Sequence, residues 1–523
     1  MSRSRNDISA RESKSAREVA AETLRQCDPA RDYAGPILDH LLDQTDEKQR
    51  ATDLVYGTIR NLLAIDAVIA HFAGRRPNRI APPLLSIIRV GIYELAYSPA
   101  TPVYSIVNEA VNNARKAGGQ KQTGFVNAVL REVVRHIANR EAPLAASNPR
   151  RTLIRQSDAG CEFDRGFLPD PAASLAEYLS VCFSLPQWLV CDWLDTFGPE
   201  QTRRICLGSN RKPSLYIRVN LLRTTAQELL TRFEQAGIQA EPVPVGWAVP
   251  TDSPEGDSTA EDAKARGGND IRSISANEPV ERSVAKTGDQ QAMVGRAHPM
   301  SPAMLRLTGP HAVTELPGFA EGQFTVQDLS ASQAIRALQP QPGWTILDLC
   351  SAPGTKTAQI AEMTQDSATI LATDIDPKRL ERVQENIARL GLKSVTVVPH
   401  AQLEQQARGP FDAVVLDVPC SNTGVLARRV EARFRVRPEA VKDLAATQRS
   451  LLDKAAALVK PGGQICYSTC SIQRTENQEV IQSFLATDNR FDLAHEQLLL
   501  PSPAPFDHDG AYTAILQICE CDG

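Results

Sequence analysis

The sequence of 523 residues lacks long hydrophobic runs, paired cysteine spacings and a strong charge of either sign. No run of about eighteen apolar residues occurs, so we expect no membrane-spanning helix. The first residues, MSRSRNDISARESKSAR, are polar and lack the apolar core of a secretion signal. The 11 cysteines form no regular framework and no C-x-x-C pair, which argues against disulfides and against a structural zinc site. We therefore expect a cytoplasmic protein that binds no metal.

The composition, 42% hydrophobic and 23% charged, is that of an ordinary globular protein with ample core. By length alone, three or four domains are expected. The net charge of -5 argues against indiscriminate binding of nucleic acid. Residues 1–150, however, hold 21 Lys and Arg against 16 Asp and Glu. A mildly basic N-terminal part is compatible with contact to RNA.

Residues 13 to about 140 repeat apolar residues at helical spacing, and proline and glycine interrupt the repeats. This pattern predicts an all-α domain. The predicted helices are SAREVAAETLRQC, QRATDLVYGTIRNLLAIDAVIAHF, PPLLSIIRVGIYELAY, VYSIVNEAVNNARKAG and GFVNAVLREVVRHI.

The stretch 146–249 is mixed. LPQWLVCDWLDTFG predicts a helix. SLYIRVNLL predicts a strand, TTAQELLTRFEQAG a helix with a threonine N-cap, and IQAEPVPV a second strand. Together they predict a small βαβ-type unit.

Residues 250–300 are rich in Ser, Asp, Glu, Gly and Ala and contain almost no aromatic residue. Such a segment cannot bury enough apolar area to offset the entropy of ordering it, so we expect a disordered insertion. Residues 1–12 are expected to form a disordered tail.

From residue 320 onward, predicted strands alternate with predicted helices. This alternation predicts a doubly wound, Rossmann-like parallel sheet, which binds its ligands outside the carboxyl ends of the strands. The predicted strands are TILDLC, ATILATDI, SVTVVP, FDAVVLDVP, GQICYSTC and AYTAILQIC.

A glycine-containing turn follows the first of these strands, in TILDLCSAPGTKTAQIAEM. It matches neither the phosphate-binding spacing G-x-x-x-x-G-K-[ST] nor G-x-G-x-x-G. About twenty residues later, ATILATDID ends in acidic residues that could accept both hydroxyls of a ribose. An adenosine without a phosphate requirement suggests S-adenosyl-L-methionine. A tight turn beside a solvated aspartate explains this stretch equally well.

Three motifs in order resemble those of the cytosine-C5 RNA methyltransferases: DLCSAPGTKT at 348–357, DVPCSNTG at 417–424 and YSTCSI at 467–472. QFTVQDLSASQAI at 323–335 looks like the helix that leads into this domain. The N-terminal helices, with GFVNAVLR at 124–131, resemble the NusB-like domain. The combination resembles the bacterial ribosomal RNA small subunit methyltransferase B family (RsmB, Fmu or Sun).

The resemblance implies a division of the chain into five parts. They are a disordered tail at 1–12, a NusB-like RNA-binding domain at 13–145, a helical linker with a small α+β subdomain at 146–249, the insertion at 250–300, and the S-adenosyl-L-methionine-dependent methyltransferase domain at 301–523.

The resemblance also implies the cofactor-binding residues. The family's cofactor loop falls on Cys350, Ser351, Ala352, Pro353, Gly354, Thr355 and Lys356, its ribose-binding acid on Asp374, and a further acid on Asp417. Two departures stand out. Thr355 replaces a glycine, and His400 and Ala401 stand where the family has an aspartate that is thought to bind adenine.

Two cysteines at strand ends fit the chemistry that the resemblance implies. A thiolate that adds to carbon-6 of cytosine makes carbon-5 able to attack a methyl group. The family assigns the nucleophile to Cys470 and release of the adduct to Cys420. Asp417 would hydrogen-bond the base, and Lys356 would favour the thiolate or orient the carboxylate.

The bland interpretation of a cysteine is that of a small buried apolar side chain. We apply it to the eight cysteines that lie outside the three motifs. They are Cys27, Cys161, Cys182, Cys191, Cys206, Cys466, Cys519 and Cys521.

An arginine-rich stretch, ARRVEARFRVR, directly follows the Pro-Cys motif. Guanidinium groups suit phosphate, and this stretch predicts RNA contacts. A solvated helix face is the alternative. The residues are Arg428, Arg429, Arg433, Arg435 and Arg437.

The sequence thus predicts a monomeric enzyme that methylates carbon-5 of a cytosine in 16S ribosomal RNA. Other hypotheses are a methyltransferase for transfer RNA or another RNA, a non-catalytic RNA-binding assembly protein with a vestigial methyltransferase fold, and a DNA cytosine methyltransferase. In the last case the cysteine of the Pro-Cys motif would be the nucleophile. The Thr-Cys motif and the NusB-like helices disfavour it.

Overall fold

The structure, a computed structural model, describes residues 13–244, 303–309, 311–406, 409–504 and 506–519. The predicted tail and the predicted insertion lie outside these residues, as does Cys521. The described residues form two compact units. The first contains the described residues up to Arg211 together with Leu426–Val436, and the second contains the remainder.

Seventeen α-helices occur in the described part of the chain. They are α1 (Ala16–Gln26), α2 (Ala34–Leu42), α3 (Lys48–Arg60), α4 (Leu62–Phe72), α5 (Pro82–Tyr97), α6 (Val103–Gly118), α7 (Gln120–His136), α8 (Leu175–Phe183), α9 (Gln187–Asn210), α10 (Ala226–Gln235), α11 (Gln333–Leu338), α12 (Thr355–Met363), α13 (Pro377–Leu390), α14 (Leu403–Gln406), α15 (Ala432–Arg435), α16 (Pro438–Ala456) and α17 (Gln478–Leu485).

The same residues contain fourteen strands. They are β1 (Ile137–Pro143), β2 (Thr152–Ile154), β3 (Ala159–Phe163), β4 (Leu215–Val219), β5 (Ala240–Pro242), β6 (Met304–Leu307), β7 (Phe324–Val326), β8 (Thr345–Asp348), β9 (Thr369–Ala372), β10 (Val395–Val397), β11 (Phe411–Asp417), β12 (Val459–Thr469), β13 (Phe491–Leu499) and β14 (Ala511–Ile518).

The first unit is mainly helical, and the five predicted helical stretches are confirmed as helices. A capping box starts α1: Ser15 accepts from the Glu18 amide, and the Glu18 carboxylate accepts from the Ser15 amide. The second predicted helix is in fact two, because the chain bends by 74° between α3 and α4. Within the described residues, no single helix is long and apolar enough to cross a membrane; α3 and α4 meet that test only when taken together.

A small antiparallel sheet with the strand order β1-β3-β2 follows α7 in the same unit. The sequence pattern does not predict it. β1 has one buried residue, Ala142, among mostly exposed neighbours, and β2 has only three residues, so neither shows the apolar alternation that marks a strand.

The segment Leu426–Val436 belongs to the first unit, although it lies far along the chain. Val430 is 1% exposed and packs in the core with Leu54 and Val90. Glu431 accepts a hydrogen bond from the Ala34 amide at 2.9 Å, where α2 begins. Most of the predicted RNA-binding arginines therefore lie in a segment that completes a protein core.

The second unit begins with a four-stranded antiparallel sheet of order β5-β6-β4-β7. Both predicted strands are present, as β4 and β5, and the predicted threonine cap of α10 is Thr225. The two strands are not neighbours, because β6 pairs between them and makes a split βαβ arrangement. β6 and β7 come from the region that was predicted to belong wholly to the methyltransferase domain.

A seven-stranded sheet of order β10-β9-β8-β11-β12-β14-β13 forms the body of the second unit. The five strands from β10 to β12 run parallel, whereas β14 pairs antiparallel with β12 and β13 antiparallel with β14. The predicted doubly wound sheet is therefore mixed rather than wholly parallel. The strand order reverses at β8 and β11, where a crevice for ligands is expected.

Two apolar layers cover this sheet. On one face Ala358, Ile360 and Val383 pack from α12 and α13. On the other face Leu452 and Phe484 pack from α16 and α17. Because the central strands run parallel, their carboxyl ends lie at the same edge of this covered sheet.

The arginine Arg433, on α15, is fully buried in the first unit, with 0% of its surface exposed. Its guanidinium donates to the main-chain oxygens of Arg60, Phe183, Ser209 and Leu426 and to the side chain of Asn210. Because these bonds and its burial occupy the group, the prediction that Arg433 contacts RNA is not kept.

We expect Arg433→Leu to lower the free energy of unfolding by about 3 kcal/mol, because buried acceptors lose their donor. Urea denaturation followed by circular dichroism measures the change. The control is Arg429→Leu in the same segment, where the side chain is exposed and the change should stay within about 0.5 kcal/mol. Equal losses in the two variants would contradict the structural role of Arg433.

Candidate active site

Two neighbouring strands of the large sheet, β11 and β12, end side by side. They run parallel, with Asp417 opposite Ser468. Cys420 follows the end of β11 and Cys470 the end of β12, so the register carries both cysteines past the same edge. Their sulfur atoms lie 3.0 Å apart, and both residues are partly exposed. The structure thus brings together the two cysteines that the sequence motifs singled out.

The loops that carry these cysteines are bonded through their main chains. The Gly424 amide donates to the Cys470 carbonyl oxygen at 2.9 Å, and the Gly424 oxygen accepts from the Gly510 amide at 2.7 Å. A Cβ atom at Gly424 would lie 2.6 Å from the Gly510 oxygen and 2.7 Å from the Cys470 oxygen. Glycine is required here by the close approach of three main chains.

Asn422 contacts both cysteines. Its backbone φ of 62° lies in the left-handed region, which asparagine tolerates better than most residues. Its side-chain nitrogen donates to the Cys420 oxygen at 3.0 Å, and its side-chain oxygen lies 3.4 Å from the Cys470 sulfur. The motif DVPCSNTG contained this asparagine, but the sequence analysis gave it no role.

An ion pair lies at the same strand ends. Lys356 Nζ is 2.8 Å from Asp417 Oδ2, and the Ser468 hydroxyl donates to Asp417 Oδ1 at 3.1 Å. Burial acts to lower the pKa of Lys356, but the negative charges of Asp417 and of a Cys470 thiolate outweigh it, and the pKa is raised. Lys356 therefore stays positively charged and can stabilise negative charge on Asp417 and Cys470.

The Cys420 thiol is held in its protonated form. Its hydrogen bond with Cys470 raises the pKa of Cys420 well above the ordinary value, and burial and the charges of Cys470 and Glu476 act in the same direction. Burial also raises the pKa values of Cys350 and Cys466 to about 12. These three cysteines are neutral at physiological pH.

A buried carboxylate, Glu476, joins the two cysteine loops. Glu476 is 0% exposed. It accepts from the Ser421 amide at 2.8 Å, from the hydroxyls of Ser421 and Ser471, and from Gln448 Nε2 at 3.1 Å. Ser421 directly follows Cys420, and Ser471 directly follows Cys470. Sequence reasoning missed Glu476, because the pattern TENQEV looks like an ordinary helix start.

The next residue, Asn477, supports the second loop. Its side chain accepts from the Thr469 hydroxyl at 2.7 Å and donates to the Ser471 oxygen at 2.9 Å. These bonds hold Thr469 and Ser471, the residues on either side of Cys470. The position of Cys470 is therefore set by neighbours that are themselves buried.

The predicted cofactor loop runs from the end of β8 into α12. Gly354 has a φ of 96° and is followed at once by the first turn of α12. Ser351 is buried, and its amide and hydroxyl both donate to the Thr373 oxygen, at 3.0 and 2.9 Å. The Ala352–Pro353 peptide bond is cis, and Pro353 is exposed. Thr355 forms the first residue of the helix.

Arg218, on β4, supports this loop from the small sheet of the same unit. It is 0% exposed, and its guanidinium makes two bonds to the Glu362 carboxylate, at 2.8 and 2.9 Å. It also donates to Gln327 and, at 3.1 Å, to the Thr355 oxygen. The small sheet therefore holds α12 and the start of the loop in place.

The acid at the end of β9, Asp374, is 3% exposed and lies beside the loop. Its carboxylate accepts from the Ala352 amide at 3.3 Å and from the Asp376 amide at 3.0 Å. The next side chain, Ile375, is 78% exposed, which is unusual for a large apolar residue. The loop thus has a carboxylate and an apolar surface at its open edge.

A second acid, Asp348, ends β8 and is 0% exposed. Burial raises its pKa to about 7, although the Thr357 hydroxyl donates to it at 2.7 Å. Its Oδ1 atom has no hydrogen-bond partner within the part of the chain that the structure describes. A buried acceptor without a partner is costly, and a ligand that donates there would relieve it.

His400 and Ala401 are exposed in a short 3-10 helix, His400–Gln402, after β10. Neither residue carries a carboxylate. Among the described residues, no group of three or more His, Cys, Asp or Glu is arranged to hold a metal ion.

The other predicted RNA-binding arginines fall into two groups. Arg428, Arg429 and Arg437 are exposed. Arg435 is half-buried: it donates to the Pro29 oxygen at 3.0 Å, and its guanidinium lies 3.8 Å from the centre of the Tyr33 ring.

Three family models match this chain. The model described as 16S rRNA methyltransferase RsmB/F matches residues 335–511. The NusB family model matches residues 14–135, and a ferredoxin-like domain of RsmF/B-like methyltransferases matches residues 185–250. The last match includes β4, α10 and β5, which form half of the split sheet.

Curated relatives match along nearly the whole chain. The probable ribosomal RNA small subunit methyltransferase B of Synechocystis is 30% identical over 479 residues, which are 90% of this chain and 89% of that protein. The protein of the same name from Bacillus subtilis is 28% identical over 521 residues, 97% of each chain.

Among solved structures, the crystal structure of PH0851 superposes with a TM-score of 0.63 at 22% sequence identity and covers 96% of this chain and 99% of that one. This likeness concerns the fold: a helical N-terminal part, a small α+β region and an α/β methyltransferase domain. Together with the extent of the curated matches, it leads to one conclusion. The chain belongs to the ribosomal RNA small subunit methyltransferase B family.

Proposed function

We propose that this protein transfers a methyl group from S-adenosyl-L-methionine to carbon-5 of a cytosine in 16S ribosomal RNA, through a covalent bond between Cys470 and carbon-6 of the base. The observation that carries the proposal is the 3.0 Å separation of the Cys420 and Cys470 sulfurs beside the Lys356–Asp417 ion pair. The family supports a ribosomal RNA methyltransferase.

Carbon-5 of cytosine is a weak nucleophile, because the aromatic ring holds its electrons. Addition of the Cys470 thiolate to carbon-6 breaks that conjugation and makes carbon-5 enamine-like. Carbon-5 would then attack the methyl carbon of S-adenosyl-L-methionine. The electron pair of the bond between that carbon and the sulfonium sulfur would stay on the sulfur. Loss of the carbon-5 proton to a base restores the ring double bond and expels the Cys470 thiolate.

Lys356 and Asp417 stabilise the charges of this reaction. The Lys356 ammonium favours the Cys470 thiolate before attack and after release. Asp417 would hydrogen-bond N3 and the amino group of the base, which favours a protonated N3 as the thiolate adds. Both roles use the strand-end positions described above.

Cys420 acts in release rather than in attack. Because its thiol is protonated and 3.0 Å from the Cys470 sulfur, it can donate a hydrogen bond to that sulfur as the bond to carbon-6 breaks. A hydrogen bond to the departing thiolate lowers the barrier to breakdown of the adduct.

The residues around the predicted cofactor loop fit S-adenosyl-L-methionine. Asp374 would accept hydrogen bonds from ribose hydroxyls, and Ile375 would offer an apolar surface to the adenine ring. The Oδ1 atom of Asp348, which has no partner among the described residues, would offer an acceptor at the end of β8. When bound, the cofactor supplies an electrophilic methyl group on a sulfonium. The aspartate missing near His400 leaves the adenine amino group to another acceptor.

The exposed arginines Arg428, Arg429 and Arg437 remain proposed contacts to RNA phosphates. The target cytosine must leave its stack to reach the cysteines, as in other enzymes that act on a base. We place the activity in the cytoplasm, where bacteria make their ribosomal RNA.

We expect RNA that contains 5-fluorocytidine at the target to form a stable covalent complex with the protein in the presence of S-adenosyl-L-methionine. Fluorine cannot leave as a proton does, so the adduct persists. A denaturing gel detects the complex, Cys470→Ser abolishes it, and the control Cys191→Ser, at an exposed position in the first unit, retains it. Trapping that survives in Cys470→Ser and vanishes in Cys420→Ser would assign the nucleophile to Cys420.

We expect Cys420→Ser to accumulate protein bound covalently to ordinary substrate RNA without 5-fluorocytidine, since release of the methylated base stalls. The measurement is the fraction of protein in the shifted gel band, before and after nuclease digestion. Turnover at the wild-type rate without a shifted band would exclude the release role.

We expect Asp374→Asn to weaken S-adenosyl-L-methionine binding about tenfold or more, because hydrogen bonds to a charged acceptor contribute about 1.5–3 kcal/mol. Isothermal titration calorimetry measures the dissociation constant. The control is Asp376→Asn two residues later, where asparagine can still cap α13. Unchanged affinity in Asp374→Asn would remove this residue from the cofactor site.

A further inference from the structure

The two cysteines are chemically alike, yet the proposed reaction needs one as thiolate and the other as thiol. Their sulfurs are 3.0 Å apart, close enough to share one proton. Two adjacent thiols have the same intrinsic acidity. The charged groups around the pair therefore determine which thiol loses its proton.

The charges around the pair are arranged unequally. Glu476 makes two hydrogen bonds with Ser421, the residue after Cys420, through its amide at 2.8 Å and its hydroxyl, and one with the hydroxyl of Ser471, the residue after Cys470. On the side of Cys470, the negative charge of a Cys470 thiolate attracts the Lys356 ammonium and helps to keep Lys356 protonated. The titratable groups that face the pair are Lys356 on α12, Asp417 at the end of β11, Tyr467 on β12, and Glu476 just before α17.

Burial and hydrogen bonds fix the position of the Glu476 carboxylate relative to the two cysteine loops. Glu476 is 0% exposed, and within the described residues its hydrogen-bond donors are neutral groups: the Ser421 amide, the hydroxyls of Ser421 and Ser471, and the Gln448 amide. Tyr467 donates to the Glu476 main-chain oxygen at 2.6 Å. Neutral donors stabilise the carboxylate without cancelling its charge.

We propose that Glu476 is a positioning residue that clamps the Pro-Cys and Thr-Cys loops together and, through its negative charge next to Cys420, keeps the shared proton on Cys420. Cys470 is thereby selected as the nucleophile. This selection of Cys470 rests on the proposed function, which identifies the reaction. The clamp and the proton's position are properties of the folded protein and do not depend on any substrate.

The pKa of Cys420 is raised first by its hydrogen bond with Cys470 and by burial, and the negative charge of Glu476 acts in the same direction. Glu476→Gln keeps the size and most hydrogen-bonding capacity of the side chain but removes its charge. The Cys420 thiol should then ionise at lower pH, so that both cysteines react with an electrophile.

The test is alkylation by iodoacetamide at low conversion over a range of pH, with each modified peptide quantified by mass spectrometry. In the wild-type protein at pH 8, Cys470 should be modified about tenfold faster than Cys420 or more. In Glu476→Gln, the ratio of Cys420 to Cys470 modification should rise about tenfold. Glu476→Asp, which retains the charge, should restore a ratio near that of the wild type.

The matched control is Glu479→Gln, the same substitution three residues later on an exposed position of α17. It should leave the ratio unchanged. A folded Glu476→Gln variant with the wild-type ratio would overturn the proposal. Equal modification of the two cysteines in the wild-type protein would also overturn it, even if Glu476→Gln did not fold.

Methyl transfer gives a second readout. Glu476→Gln should lower kcat about tenfold or more while KM for RNA stays within about twofold, because the charge acts on the cysteines and not on RNA binding. Absence of methyl transfer in the wild-type protein would refute the proposed function and leave the alkylation result intact. The two proposals can therefore fail separately.

Discussion

The parallel pairing of β11 with β12 is the constraint on which the site depends. Register places Asp417 opposite Ser468, and a shift by one residue would turn each side chain to the opposite face of the sheet. With this register, two short loops bring two sulfur atoms within 3.0 Å of each other. The loops need no long-range flexibility, because the central strands are buried from both faces and their ends are rigid.

Buried charged side chains hold loops in position in both units, each time through hydrogen bonds to a different kind of partner. Arg218 pairs with a carboxylate and reaches the main chain where α12 begins. Arg433 has mainly carbonyl oxygens, and Glu476 has neutral donors. A buried charge with several fixed partners tolerates few alternative arrangements, which makes it suited to holding loops in place.

Periodicity and motif order predicted much of the fold, since long apolar helices and buried strands leave strong patterns. β13 was missed because seven of its nine residues are not buried, so it carries no apolar alternation. The paired cysteines were predictable from motifs at strand ends. Glu476 was not, because its importance comes from burial and from contacts with residues far apart in sequence. The arginine-rich stretch led to a wrong prediction for Arg433. Its charge suggests an exposed side chain, but no sequence pattern reveals the main-chain carbonyl groups that accept its hydrogen bonds in the folded protein.

The path of the chain through Leu426–Val436 means that the N-terminal helical unit is not a continuous piece of the polypeptide. A fragment cut at Arg211 would lack Val430 from its core and the guanidinium that caps several helix-end carbonyls. Any attempt to swap the helical unit between relatives must therefore exchange two stretches of the gene together.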